Sequence, residues 1–317
     1  MRQTLPFCIN ASARRWVCIG LTAAVLAWNG PSHSAAVAFG GEDPRAIAWS
    51  YASFQAERLG NRVTANISMV ALPAAVEAAR FLRSPRGTAL KPSSQEVLKL
   101  SVRIRIDIIG RTPLWLENHA WLDPRDGMPL YLIRTRVGLD DYFQQFNFTQ
   151  EGVFRRQREP VSAAEAARPN ESWSKRGEHF YAFPPGVENC YPILEASTLI
   201  YLLSAPTRGL NDFTPLCVFH KRQLHRVNLQ SAPLESVGFD YLEKRGGTET
   251  RRAGTVQARK IMIESRPIGS YRGEVEDFFR DSTEVVLSRD GSLPLMASCD
   301  MPLLGKVEMK LKEIRLN

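Results

Sequence analysis

The chain has 317 residues, 41 Lys and Arg against 33 Asp and Glu, and a formal charge of +8. The basic residues are scattered as pairs such as Arg155-Arg156, Lys221-Arg222 and Arg251-Arg252, and none of these forms a block long enough for a nucleic-acid arm. Nucleic acid is therefore excluded as a partner.

Residues 1–38 predict a secretory signal peptide. Arg2, Arg14 and Arg15 make a basic start, WVCIGLTAAVLAW is an apolar run of thirteen, and small residues lead to cleavage after Ala38. That run is shorter than the roughly 20 residues of a membrane span. Export to the periplasm follows, leaving one domain over 39–317 with a charge of +5 once the three arginines go. No later stretch is long and apolar enough to cross a bilayer as a helix, so the mature chain is expected to have no transmembrane helix.

Residues 39–50 read as a loose lead-in, and VTANISMVAL (63–72) as a first strand. Pro73 then opens a short helix in AAVEAARFL. SVRIRIDIIG (101–110) alternates: Val102, Ile104, Ile106 and Ile108 fall on one side, and Ser101, Arg103, Arg105 and Asp107 on the other. A meander follows, with strands at 115–123, 129–137 and 142–148 and turns at Pro124–Gly127 and Asp140-Asp141. Residues 159–178 look polar and irregular.

CYPILEASTLIYLLSA (190–205) places Ile193, Ala196, Ile200 and Leu203 at helical spacing, which predicts a buried helix near 193–204. Strands return at 216–229, 236–243, 255–264, 273–287, 293–299 and 305–316. In the last of these the alternation Val307, Met309, Leu311 slips to Ile314 and Leu316, which predicts a bulge near Lys312-Glu313.

WLENHAWLDPRDGMPLYLIRTRVGLDDYFQQFNFTQEGVFRR, the ILEASTLIYLLS helix, TEVVLSRDGSLPLMAS and LLGKVEMKLKEI occur in this order along the chain. The order resembles the exported proteobacterial family known as domain of unknown function 3108. Glu195 stands where that pattern has Asp. The resemblance implies an exported, mostly antiparallel β protein, and it carries over no catalytic residue.

Few constellations suggest chemistry. Cys217, His220 and His225, taken on one extended strand, cannot converge: the two histidines face opposite sides, and Cys217 and His225 lie about 26 Å apart. Glu274, Glu276, Asp277, Asp281 and Glu284 lack the spacing of a calcium loop. No metal and no cofactor is expected. Asp123 and Asp126 are explained by a turn. Glu195, in an otherwise apolar helix, needs a partner or a helix start. Cys190 with Cys217 is the first choice for a disulfide in an oxidising compartment, with three buried thiols as the alternative.

The expected fold is a strongly curved antiparallel sheet or open barrel, with the helix near 193–204 against its concave face. The expected function is non-catalytic binding of an apolar, acyl-chain envelope ligand, with Ile104, Ile106, Phe146, Phe148, Glu195, Ile200 and Tyr201 lining the site. The alternatives are an envelope assembly protein that binds a protein partner through a sheet edge, and a hydrolase built on Glu195 or Asp123.

Overall fold

The computed structural model describes residues 47–187, 190, 192–204, 216–220, 222–269, 283–301 and 304–317. The predicted signal peptide and the acids Glu274 to Asp281 lie outside the described residues.

The chain folds as one curved, largely antiparallel sheet. Its first eight strands are an up-and-down meander: β1 Trp49–Arg58, β2 Asn61–Pro73, β3 Glu96–Asp107, β4 Leu114–Leu122, β5 Pro129–Val137, β6 Tyr142–Phe148, β7 Gly152–Glu159 and β8 Lys175–Ala182. The remaining strands are β9 Ile193–Glu195, β10 Leu216–His220, β11 Gln223–Arg245, β12 Thr248–Pro267, β13 Thr283–Ser288, β14 Pro294–Met301 and β15 Gly305–Leu316. The sheet runs from β8 back to β1, then from β15 back to β9, so the first and last strands join its two halves. β11 also pairs with β15 in parallel over Leu242–Lys244, which closes a hydrogen-bonded ring of β11 to β15.

Period-two alternation decides which side of each strand is buried. Val102, Ile104 and Ile106 point into the curve with Phe54, Ala65 and Leu116, while Arg103 and Arg105 stay exposed on the convex face. Curvature then brings the far end of the sheet over its own concave face. Phe219 of β10 packs edge-on to Phe146 and Phe148, with ring centroids at 6.3 and 6.0 Å. The predicted bulge is present: Ser53 pairs with Glu313 and Phe54 with Leu311, so Lys312 is the extra residue. A second, smaller core lies on the convex face. There α1 (Ala74–Ala78) and Phe81 cover Trp121 and Tyr131, and Trp121 Nε1 donates to Glu77 at 2.7 Å.

Three expectations are corrected. The helix of 193–204 shrinks to α3, Leu199–Leu203, after a single 3-10 turn over Ala196–Thr198. Ile193–Glu195 is instead a strand parallel to β10, and Glu195 caps the turn by accepting from Ser197 N at 2.8 Å. The supposed single strand of 216–229 is the hairpin β10–β11, turned at Arg222 with φ +78°. Finally, β1 occupies part of the loose lead-in, and β8 part of the stretch read as irregular.

Candidate functional site

Ile104, Ile106, Phe146 and Phe148 are all buried, at 3% exposure or less, in one continuous apolar core. Phe146 and Phe148 meet Phe219 across the curve. Ile200 and Tyr201 lie in α3, and their side chains are outside the described residues. The structure therefore places four of the seven expected lining residues in packed core.

Glu195 is 1% exposed and faces Arg134 of β5, with Nη2 to Oε1 at 2.8 Å. The Arg134 guanidinium also donates to Asn118 Oδ1 at 3.2 Å and lies 5.5 Å from the Phe146 ring. Both Glu195 oxygens are engaged, one by Arg134 and the other by the Ser197 N–H and hydroxyl. A carboxylate so held is a clip between β9 and β5, across the mouth of the curve. Beyond it the inner face turns polar. Gln144 donates to Gln157 at 2.8 Å, and Arg136 donates twice to the Asp140 carbonyl at 3.0 and 2.7 Å. Burial lowers the Arg136 pKa, and nearby Asp140 opposes that fall.

A polar row on the convex face has no linear signal in the sequence. Ser101 of β3 lies directly opposite His119 of β4. Ser101 Oγ is 2.8 Å from His119 Nδ1, and His119 Nε2 is 3.1 Å from Glu117 Oε1. Arg103 also grips Glu117. The Glu117 carboxyl is held down at about 2, first by the His119 hydrogen bond, with burial opposing and Arg103 assisting. The order Ser, His, Glu matches a nucleophile relay. β3 and β4 are paired on both edges and spend their backbone N–H groups on the sheet, so these two strands offer the row no oxyanion site. The row is cross-strand polar pairing on a wet face.

The other candidates have structural roles. Asp123 accepts from Ser93 N and Oγ, both at 2.6 Å, and from Arg125 N at 2.9 Å, so it braces the β4–β5 turn. Cys190 and Cys217 form a disulfide with Cα atoms 5.2 Å apart, and Cys299 is buried elsewhere. The β10–β11 turn brings the rings of His220 and His225 to 6.2 Å, which a single strand could not do. Among the described residues no group of three or more His, Cys, Asp or Glu is placed to hold a metal. No helix among the described residues is long and apolar enough to cross a membrane.

The apolar side chains that escape the core are not scattered. Of nine exposed large apolar residues among those described, six lie along one end of the meander. Leu59 tips the β1–β2 turn at 82% exposure, Ile109 follows β3 at 70%, and Val161 follows β7 at 68%. Leu139 tips the β5–β6 turn, and just below it Trp115 and Val137 pair across β4 and β5. An up-and-down meander sends every second turn to the same end, which is why residues 20 to 50 positions apart form one rim. The signal in the sequence is faint: a leucine inside Arg58-Leu59-Gly60-Asn61, and an isoleucine just before Gly110.

Neither a protein-family model nor a curated protein matches the chain. Among solved structures it is similar to a beta-barrel-like protein of the domain of unknown function DUF1849 from Brucella abortus. That similarity has 9% identity and a TM-score of 0.42, and it covers 84% of this chain and 96% of the other.

Proposed function

We propose that the protein is an exported, non-catalytic component of the cell envelope, a periplasmic relative of domain of unknown function 3108, whose partner is apolar. The partner is met at the outer rim of the sheet and not inside its curve. One observation carries this reading: Ile104, Ile106, Phe146 and Phe148 are buried in one continuous apolar core, while six large apolar residues stand exposed together at one end. Isolated exposed apolar residues need no explanation, but a gathered set marks an interaction site. The signal peptide read from residues 1–38 supplies the location.

Two measurements test it. Native mass spectrometry after gentle purification should find the bare chain, and an apolar fluorescent dye should bind the folded protein without unfolding it. An acyl-chain ligand retained one to one would return the site to the interior and overturn the surface reading.

Recognition through a sheet edge fits less well. The β8 edge begins Lys175-Arg176-Gly177, all exposed, and charged edges resist strand addition. The edge strand at the other end, β9, has three residues.

A further inference from the structure

We propose that this rim docks on an anionic phospholipid surface, with Leu59, Ile109, Leu139 and Val161 entering the headgroup layer. The proposal rests on the surface-binding reading above and names its partner.

The first argument is local. Leu59 and Gly60 both have positive φ, +52° and +77°, in the two-residue turn between Arg58 and Asn61. Such turns favour Asn-Gly or Gly-Gly, because a leucine at positive φ is strained. Here the strained position also carries the most exposed of the large apolar side chains. Neither local conformation nor solvation favours leucine at that point, so its presence calls for a partner outside the fold.

The second argument is rigidity. Ile109 N–H donates to Asn61 Oδ1 at 3.0 Å, and Asn61 Nδ2 donates to the Arg58 carbonyl at 3.2 Å. A side chain at Gly60 would collide with Ile109, whose Cδ1 lies 2.6 Å from where a Cβ would stand. The first two tips are thus fixed against each other before any partner arrives, which lowers the entropic cost of docking.

The third argument is charge. Glu57, Asp107, Asp140 and Glu159 on this rim pair with Arg62, Arg105, Arg136 and Lys175. Glu165 is taken by the Val161 and Ser174 N–H groups. Glu171 and Asp141 join no ion pair among the described residues, and Asp141 accepts from Gly138 N–H at 2.7 Å. Arg111 and Arg176 are exposed and join no ion pair among the described residues, whereas the charge of Arg168 already acts on Glu165. Arg158 and Arg176 moreover sit directly opposite each other on β7 and β8, a like-charge pair that disfavours the sheet unless an anion lies between them. Tips two strands apart are separated by about 10 Å. Fluid lipid accommodates apolar points so spaced more readily than a protein surface does, and phosphates beside them match the unpaired arginines. Trp115, with Arg105 over its ring at 5.0 Å, stands at the level where the headgroups would lie.

The test is co-sedimentation of the processed chain, signal segment removed, with vesicles of phosphatidylethanolamine and phosphatidylglycerol, and with vesicles of phosphatidylcholine alone. We expect binding to the anionic vesicles that weakens with salt. Leu59→Asn with Ile109→Asn should lower it about tenfold or more, with the melting temperature unchanged or raised, since Asn suits the turn. Arg158→Gln with Arg176→Gln should weaken binding to anionic vesicles only. Equal binding by the wild type and the Asn variant, or no binding by either, overturns the proposal. Self-association that vanishes in the Asn variant while vesicles stay unbound also overturns it, in favour of a second copy at the rim. Dye binding that the Asn variant abolishes, without vesicle binding, refutes the lipid partner but leaves the surface reading standing. Loss of dye binding altogether removes both.

Discussion

Glu195→Ala should be among the most destabilising single changes outside the apolar core, and the structure sets its size. Two losses combine. The carboxylate caps the 3-10 turn through Ser197 N–H at 2.8 Å, and losing such a cap costs about 1 kcal/mol. Arg134 then loses its counter-ion in a site where its side chain keeps 17% exposure. Breaking a buried pair from one side costs about 3–5 kcal/mol. The lower end applies here, because Arg134 reaches some water and retains Asn118 at 3.2 Å. We expect a loss of about 3–4 kcal/mol in all. Replacing both partners, Arg134→Met with Glu195→Leu, should recover most of it, since an apolar pair leaves no charge behind. The assay is urea unfolding followed by tryptophan fluorescence with the disulfide intact, scored as a double-mutant cycle. A coupling of about 2–3 kcal/mol is expected, and single effects that add to within about 0.5 kcal/mol would refute the clip.

Three further outcomes follow. Cys190→Ser with Cys217→Ser opens a link across a sequence separation of 27 and should cost about 3.5 kcal/mol, read from the same urea curves. Glu117 has its folded pKa lowered to about 2, so its contribution is present above the ordinary value of 4.5 and is lost as pH falls through about 2. With the side chain 35% exposed, that contribution is screened to about 1 kcal/mol. The gap between wild type and Glu117→Gln in thermal melts should accordingly close between those pH values, and a pH-independent gap would contradict the assignment. Phe219→Ala should cost about 3–5 kcal/mol and open an apolar cavity against Phe146 and Phe148 that takes a small apolar probe.

The isoleucine face of β3 was legible because strand period alone sorts Ile104 and Ile106 from Arg103 and Arg105. The phase slip at Lys312 betrayed its bulge for the same reason. β1 carries a weak signal because its inward residues include Ala52 and Ala56, which hardly register as apolar alternation. β8 shows no alternation because this edge strand carries polar residues on both faces. Around 193–204 apolar spacing misleads: the apolar content reflects a parallel strand buried on β10, and Glu195 marks where the turn starts. The β10–β11 turn was hidden because Arg222 takes a positive φ that no glycine announces. The rim and the Ser101–His119 contact depend on which strands end together and which residues lie opposite. No linear pattern encodes either.

The pairing of β1 with β15 makes the last strand a keystone in time as well as in space. Trp49–Arg58 is made early, and its second hydrogen-bonding neighbour is Gly305–Leu316, which follows only after the rest of the sheet has been made. Until then β1 and β14 each hold an open edge that β15 alone satisfies, and β11 lacks its partner over Leu242–Lys244. A chain halted before Gly305 is consequently a sticky, edge-rich intermediate. The β1–β15 pairing joins the two ends of the described chain, so we expect slow folding, and a C-terminal truncation of a dozen residues should yield aggregate instead of a slightly smaller protein.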